Sequence, residues 1–416
     1  MEISLKYGQQ YINIQFDSNS HQNVDIITPH PVYVPPLSKI LINFQPLNTL
    51  LKSNNRNRSD IVVGIAINDK TRPVPYSKLI PPLVNELLQN GIKENNIIFY
   101  VANGTHVPDN DLRYLQLDNY FLKNFTFFQH DCNKDLIYLG ETTFGTKILI
   151  NRSYFECDIK ISVGNIEPHH FAGYSGGVKT VSIGLAGKET INHNHSLLMD
   201  DNSVACEYFH NKVRMDIEEI GEFAGVDLAL NCIQNQDLQI FNIFFENPKI
   251  VMLQAIPIID KLHTMNVEKM YDIVIASAGG HPKDINFYQS QKAISNARKL
   301  LKTNGFLLII AECREGIGSD TYFNYVNNFT HPSEVITNFE NKEFIIGQHK
   351  AYLMAKVQIK HKVYLYSSLP KSIVKSLMME PVDDLTSFIN NFSTSLNAKI
   401  AVMPNAVTTI PISKGG

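Results

Sequence analysis

Short apolar runs recur along the chain, and each ends in a polar or glycine-rich stretch. Residues 61–67 (IVVGIAI) lead into Asn68 and Asp69, and residues 97–101 (IIFYV) lead into Asn103-Gly104-Thr105-His106. Further runs of this kind are residues 159–163, 273–276 and 306–310. Such continuous apolar runs are typical of strands that are buried on both faces of a parallel sheet.

Helical patterns separate these runs. Residues 78–89, 289–301, 335–344 and 383–392 place apolar side chains at helical spacing. Alternation of strands and helices predicts an α/β protein with mostly parallel sheets flanked by helices. In open α/β sheets ligands gather beyond the carboxyl ends of the strands, and the polar clusters of this chain follow predicted strands. The pattern therefore favours one composite site.

The length of 416 residues predicts more than one domain, at about 150 residues per domain. A boundary is expected near residues 258–270, where a helix-like stretch leads into a new strand. We predict an N-terminal domain over residues 1–262 and a C-terminal domain over residues 263–404. The turn-rich tail, residues 405–416, is a candidate to return to the N-terminal domain.

Composition narrows the class of protein. The net charge of -3 argues against nucleic acid as a partner, because phosphate binding needs clustered Lys and Arg. No apolar stretch approaches the roughly 18 residues of a membrane span, and the start does not resemble a signal peptide. The five cysteines are odd in number and form no CxxC pair, which favours a reducing compartment. A cytoplasmic protein without membrane or nucleic-acid partners is expected.

The densest chemistry lies in residues 167–195. A histidine pair, His169 and His170, precedes a glycine-rich turn that ends at Lys179, and His193 and His195 follow. Glycines allow close backbone approach to a bound group, histidines move protons or hold metals, and a lysine binds anions or forms covalent bonds. A phosphate loop of the GxxxxGK[ST] type does not match, because Val178 separates the glycines from the lysine.

Three smaller clusters add candidate groups, each with a plain structural alternative. Asp69 and Arg72 can hold an anion, or form a surface ion pair of little consequence. His106 can act as a general acid or base, or be a turn histidine bonded to the backbone. Gln289 and Lys292 share one face near a helix start and can bind a carboxylate, or be an ordinary exposed face.

No zinc motif such as HExxH is present. If a metal binds, His195 could supply one ligand while an organic cofactor supplies most of the others.

These clusters, in this order, resemble the nickel-pincer lactate racemase family. The resemblance covers most of the chain and centres on PHHFAGYSGGVK with a histidine sixteen residues after the lysine; DKTRP, NGTH and YQSQKA match independently. It implies two α/β domains with the active site in the cleft between them. It also implies a pyridinium mononucleotide with two sulfur-containing arms, bound covalently to Lys179 and holding nickel. His195 would complete the nickel coordination, with Gly176, Gly177 and Asp69 beside the cofactor.

The same resemblance implies the reaction. Members invert the C2 centre of lactate or a similar 2-hydroxy acid by reversible hydride transfer to the cofactor, with two histidines as acid and base. His106 and His169 match those histidines. Arg72, Gln289 and Lys292 match the substrate-binding residues, with Tyr288 in support. Cofactor-biosynthesis proteins would be partners during maturation.

Two other interpretations stay open at this stage. One is a nucleotide-dependent α/β dehydrogenase or phosphotransferase, against which stand the missing GxGxxG and the failed phosphate-loop spacing. The other is a non-catalytic protein that binds the cofactor, which would have no need of two candidate bases and a substrate clamp.

Overall fold

A computed structural model of the protein describes residues 1–16, 23–29, 35–36, 40–235, 238–342, 344–345, 347–395 and 398–413. The chain forms two compact units. One comprises Val32–Asp260 and is called the central unit here. The other combines Met1–Pro31 with Lys261–Gly416 and is called the split unit. No helix within the described ranges is long and apolar enough to cross a bilayer.

The strands and helices alternate over most of the chain. The strands are β1 (Glu2–Tyr7), β2 (Gln10–Gln15), β3 (Val24–Ile26), β4 (Val63–Asn68), β5 (Ile97–Ala102), β6 (Thr126–Gln129), β7 (Leu136–Glu141), β8 (Lys147–Asn151), β9 (Ile159–Asn165), β10 (Pro168–His169), β11 (Gly173–Tyr174), β12 (Leu228–Gln234), β13 (Ile240–Glu246), β14 (Thr264–Val267), β15 (Tyr271–Ser277), β16 (Leu301–Ile310), β17 (Lys362–Tyr366), β18 (Glu380–Pro381), β19 (Ile400–Met403) and β20 (Ile410–Ser413). The helices are α1 (Gln45–Ser53), α2 (Tyr76–Gln89), α3 (Asn119–Asn124), α4 (Arg152–Phe155), α5 (Lys179–Ser182), α6 (Lys188–Ser196), α7 (Lys212–Ala224), α8 (Pro248–His263), α9 (Phe287–Ala297), α10 (Asp320–Val326), α11 (Pro332–Glu340), α12 (Gln348–Gln358), α13 (Lys371–Ser376) and α14 (Leu385–Ser395).

The central unit is built on a sheet with strand order β13-β12-β9-β4-β5-β6. Its pairs are parallel except for β13, which runs antiparallel to β12 at one edge. Val63, Ile65 and Ile67 of β4 are fully buried in one core with Leu79 and Leu83 of α2. Their alternate spacing follows from the two-residue period of a strand, and the four-residue spacing on α2 matches one helix face.

The split unit contains a second parallel sheet with strand order β18-β17-β16-β15-β19-β3. Strand β15 sends alternate side chains to two cores. Val274 lies in a core with α9 to α12, whereas Ile275 packs with Leu5 and Ile14 of the β1–β2 hairpin and with α14. Both faces of this sheet are therefore covered, which explains its nearly continuous apolar strands.

The predicted class is confirmed. All five predicted strands form, as β4, β5, β9, β15 and β16, and the four predicted helices form as α2, α9, α11 and α14. Helix ends differ where local polar contacts decide them. The side chain of His331 caps α11, which begins at Pro332, and α14 begins just after Asp384, whose carboxylate accepts the N–H groups of Thr386 and Ser387.

The division of the chain differs from the predicted domains. The chain passes between units after Asp260, close to the predicted boundary, but residues 1–31 group with the C-terminal part. Residues 1–31 belong to this unit because β3, near the N-terminus, pairs parallel with β19, near the C-terminus. The tail does not return to the N-terminal domain: β20 pairs with β14 of the split unit, and residues 414–416 lie outside the described residues.

Candidate active site

The carboxyl ends of three neighbouring strands of the central unit carry candidate groups. Asp69 follows β4, His106 lies in the turn after β5, and β9 leads into the histidine- and glycine-rich loop. Because these strands are parallel, their ends meet at one edge of the sheet. The backbone N–H of Gly104 also donates to the carbonyl of Gly184, which ties the turn after β5 to the segment after α5.

Asp69 and His106 form a hydrogen-bonded pair. The distance from His106 Nδ1 to Asp69 Oδ2 is 2.6 Å, and Thr71 donates its hydroxyl to Asp69 Oδ1 at 2.7 Å. Burial of Asp69 opposes its ionisation, but the bonds from His106 and Thr71 outweigh that effect and lower the pKa of the carboxyl. Arg72 adds a nearby positive charge in the same direction. The carboxylate thus stays ionised and holds the imidazole in one orientation.

The glycine-rich loop before α5 depends on two residues with positive φ. Gly176 has φ 78° and Gly177 has φ 61°, a region that glycine adopts without strain. The Gly177 N–H donates to Asn231 Oδ1 at 2.7 Å, and Ser162 donates to the Gly177 carbonyl at 2.8 Å. Strands β12 and β9 therefore position the loop directly.

A buried arginine supports the same loop. Arg214 of α7 is fully buried and donates to the carbonyls of Tyr174 and Gly176 at 3.1 and 3.2 Å. Its charge is balanced by Glu218, one helical turn further along α7. Arg214 is not among the residues predicted from the sequence, because no motif marks a lone arginine within an amphipathic helix.

Lys179 and His195 lie close enough to interact electrostatically. Lys179 is the first residue of α5, and His195 lies in the last turn of α6. Burial and the positive charge of Lys179 together lower the pKa of His195 to about 3. His195 as a whole residue is only partly buried, and both effects lower the pKa of its imidazole. His195 is therefore a neutral imidazole at physiological pH, which is the form that binds metals.

Phe171 joins three histidines of this segment into one aromatic cluster. Its ring centroid lies 4.7 Å from that of His169, 4.5 Å from His170 and 5.0 Å from His195. His169 is buried, and its Nδ1 accepts a hydrogen bond from the Ala172 N–H at 3.2 Å. His169 and His195, which are far apart in sequence, are thus brought beside a common ring.

The residues present fit a lysine-tethered cofactor that carries a metal. Lys179 carries an amine close enough to His195 to lower the pKa of its imidazole. Gly176 and Gly177, predicted to lie beside the cofactor, are buried. The space in which their side chains would stand is filled by Ile166 at Gly176 and by Arg214 and Met252 at Gly177. In the described residues, His, Cys, Asp and Glu side chains form no group of three that could hold a metal ion by themselves.

The remaining predicted residues lie on α9 of the split unit. Asn286 caps this helix by accepting the Gln289 N–H, so Tyr288, Gln289 and Lys292 occupy its first two turns. Burial raises the pKa of the Tyr288 hydroxyl to about 12. Lys350 of α12, absent from the sequence prediction, places its Nζ 3.6 Å from the centre of the Tyr288 ring.

Comparison with known proteins gives one consistent result. Residues 7–206 match the family model for the lactate racemase N-terminal domain, and residues 266–411 match that for the lactate racemase C-terminal domain. A lactate racemase of Thermoanaerobacterium thermosaccharolyticum is 29% identical over 360 residues, covering 84% of each chain. A lactate racemase of Lactiplantibacillus plantarum is 26% identical over 427 residues, covering 98% of this chain and 99% of the relative.

Solved structures that resemble this chain lead to the same family. The lactate racemase apoprotein from Thermoanaerobacterium thermosaccharolyticum superposes with a TM-score of 0.86 at 25% identity, covering 99% of this chain and 100% of the other. A protein from Thermotoga maritima superposes with a TM-score of 0.66 at 16% identity over 89% of this chain and 97% of the other, which shows a common fold. On these matches, the chain belongs to the lactate racemase family and is an isomerase of the racemase class.

Proposed function

We propose that this protein racemises lactate or a similar short 2-hydroxy acid, with a nickel-pincer nucleotide bound covalently to Lys179 and nickel bound by His195. The observation that carries the proposal is a pair of histidines, His106 and His169, whose Nδ1 atoms have opposite hydrogen-bonding roles. Similarity to relatives named lactate racemase supports the substrate.

His106 is suited to take a proton. Its Nδ1 faces the ionised carboxylate of Asp69 at 2.6 Å, so Nδ1 carries the hydrogen and Nε2 keeps a lone pair. We propose that Nε2 removes the hydroxyl proton of the substrate. The negative charge of Asp69 then stabilises the imidazolium that forms, as a carboxylate does for any histidine base that it orients.

His169 is suited to give a proton. Its Nδ1 accepts from the Ala172 N–H, so the neutral ring carries its hydrogen on Nε2. Inversion requires one group that removes the hydroxyl proton of the substrate. A second group must return a proton to the same oxygen after C2 has passed through a planar geometry. The two histidines follow different strands, β5 and β9, which allows them to approach the substrate from different directions. In the reverse reaction their roles exchange.

The carboxylate of the substrate needs a clamp while C2 changes its geometry. Arg72 offers a guanidinium that can bind a carboxylate through two parallel hydrogen bonds. Gln289 and Lys292 lie near the N-terminal end of α9, where helix N–H groups favour anions. We propose that these three side chains bind the carboxylate and that Tyr288 supports them.

The cofactor would be held by residues of the central unit. Lys179 Nζ would form the covalent thioamide bond, and the neutral imidazole of His195 would bind nickel. The buried loop of Gly176 and Gly177 would fix the start of α5, because the Lys179 N–H donates to the Gly176 carbonyl at 3.2 Å. When bound, the cofactor supplies a reversible hydride acceptor, which avoids a poorly stabilised carbanion at C2. Maturation would require cofactor-biosynthesis proteins as transient partners.

The proposal can be tested by intact-protein mass spectrometry and racemisation assays. Each variant is produced together with the cofactor-synthesis proteins. The wild type and the exposed-lysine control Lys188→Ala should carry the covalent adduct, whereas Lys179→Ala should lack it. His106→Ala and His169→Ala should keep adduct and nickel but lose about 10²–10⁴-fold in lactate racemisation. The exposed His210→Ala serves as their control.

Two outcomes would overturn the proposal. An adduct that persists in Lys179→Ala contradicts the tether. Near-normal racemisation by either histidine variant contradicts the assignment of acid and base.

A further inference from the structure

Asn194, the residue before the proposed nickel ligand, is completely buried and its amide has a defined orientation. Its Nδ2 lies 3.0 Å from the carbonyl oxygen of Val213 and 2.8 Å from Oδ2 of Asp216. A backbone carbonyl oxygen and a carboxylate oxygen both accept hydrogen bonds, and neither donates. The amide nitrogen must therefore face these two atoms, and the amide oxygen must face the other way, toward His195.

Asp216 is a buried carboxylate that the proposed mechanism does not use. It lies on α7 with no exposed surface, and it accepts from the hydroxyls of Thr142 at 2.5 Å and Thr146 at 3.0 Å in addition to Asn194. The Thr142 hydroxyl itself accepts the N–H groups of Phe144 and Thr146, so its hydrogen is directed to Asp216. A buried carboxylate needs such donors, and together they keep it an acceptor.

The amide oxygen of Asn194 lies 3.2 Å from Nδ1 of His195. Because this oxygen accepts, Nδ1 of His195 must carry the hydrogen. Nε2 of the neutral ring then presents a lone pair. Metal-bound histidines usually have their second ring nitrogen fixed by a hydrogen bond of this kind.

We infer that Asp216 and Asn194 are positioning residues that hold His195 in its Nδ1–H tautomer and leave Nε2 available to a metal. The order of contacts is Asp216 to the Asn194 amide to His195. Thr146, which donates to Asp216, also lies 2.7 Å from Nδ1 of His193, so both histidines of the His193-Asn194-His195 motif are tied to one carboxylate. The link to nickel rests on the proposed function, whereas the tautomer is a property of the apoprotein.

The tautomer can be measured without cofactor. Protein labelled with ¹⁵N-histidine is studied by long-range ¹H–¹⁵N correlation at pH 7.5, and His195 is assigned from the signal lost in His195→Gln. In the wild type we expect a protonated Nδ1 and an unprotonated Nε2. In Asp216→Asn the Asn194 amide loses its charged acceptor, and the ratio of the two tautomers should shift by roughly tenfold or more toward Nε2–H.

The matched control is Glu219→Gln on the same helix. Glu219 accepts from the N–H and the hydroxyl of Thr143 at 2.8 Å each, so the variant makes the same change of charge against the same turn without touching Asn194. It should keep the wild-type tautomer. Asn194→Leu, which removes the acceptor, should lose the preference even if Asp216→Asn does not fold.

A second measurement tests the consequence for the metal. In fully matured protein, Asp216→Asn should keep the covalent adduct on Lys179 but bind nickel about 10–100-fold more weakly, as is typical when a partner of a metal-bound histidine is lost. An Nε2–H tautomer in the wild type, or an unchanged tautomer in Asn194→Leu, overturns the inference whatever the enzyme's activity. A correct tautomer in a protein that never acquires nickel would instead contradict the proposed function.

Discussion

At the scale of single residues, the hydrogen-bond partner at one ring nitrogen determines what each histidine can do. The Nδ1 of His106 faces a carboxylate, so its Nε2 keeps a lone pair. The Nδ1 of His169 accepts a backbone N–H, so its Nε2 carries the hydrogen. His195 is neutral because burial and Lys179 lower its pKa. Three identical side chains thus differ in tautomer and protonation through their surroundings, as the proposed roles of base, acid and ligand require.

A fourth histidine, His130, gives a prediction for stability. It has no exposed surface, its Nε2 lies 3.0 Å from the Ala186 carbonyl, and burial lowers its pKa from the ordinary 6.5. Above pH 6.5 the imidazole of His130 is neutral in both the folded and the unfolded state. At such pH values its burial therefore costs no stability through protonation. As the pH falls below that value the unfolded state takes up a proton that the folded state refuses, and stability is lost.

The free energy of unfolding by urea should therefore fall more steeply from pH 7 to pH 5 in the wild type than in His130→Gln. The difference should reach at most about 2 kcal/mol, since one pKa unit corresponds to about 1.4 kcal/mol. Gln keeps a donor for the Ala186 carbonyl. The exposed His210→Gln should retain the wild-type slope, and parallel slopes for His130→Gln and the wild type would contradict the prediction.

At the scale of elements, helix α12 supports the start of α9. Lys350 is only 5% exposed; its ammonium lies 3.6 Å from the centre of the Tyr288 ring and donates to the Tyr288 carbonyl at 2.5 Å. A desolvated cation over an aromatic face contributes about 2 kcal/mol, and a hydrogen bond from a charged group contributes a similar amount. The residues that follow Tyr288 include Gln289 and Lys292, so this contact should affect substrate binding.

We predict that Lys350→Met lowers the free energy of unfolding by about 2–3 kcal/mol and raises the KM for lactate more than it lowers kcat. Lys356→Met is the matched control on the same helix, because exposed Lys356 lies farther from its aromatic partner, 5.3 Å from the Tyr352 ring. Lys356→Met should have little effect on the free energy of unfolding or on the KM for lactate. Thermal unfolding and steady-state kinetics on matured protein provide both measurements, and equal effects of the two substitutions would refute the assigned contact.

At the scale of the whole molecule, the chain begins in one compact unit, builds the other and then returns to the first. The β1–β2 hairpin and the residue after it supply Ile3, Leu5, Ile14 and Phe16 to a core whose other buried members lie beyond residue 272. Gly8 also donates its N–H to Asp284, 276 residues away in sequence. The N-terminal segment is therefore part of the hydrophobic core of the split unit.

Leu5→Ala should destabilise the split unit selectively. Leu5 has no exposed surface, and truncation of a buried leucine costs about 2–5 kcal/mol. Hydrogen exchange should accelerate in peptides from β15 and β16 and stay unchanged in β4 and β5. Leu47→Ala, at an equally buried position of the central unit, should give the reverse pattern. Uniform acceleration in both units by Leu5→Ala would contradict the division.

The sequence by itself determined the α/β class, the main strands and helices, and the placement of Asp69, His106 and the glycine-rich loop after parallel strands. Those features follow from hydrophobic periodicity and local turn chemistry, which act over a few residues. Only the tertiary structure decided that residues 1–31 join the C-terminal part, that Lys350 contacts Tyr288, and that Asp216 reaches Asn194. These outcomes depend on contacts between distant segments, such as Thr142 with Asp216 across 74 residues, and no local pattern encodes such a pair.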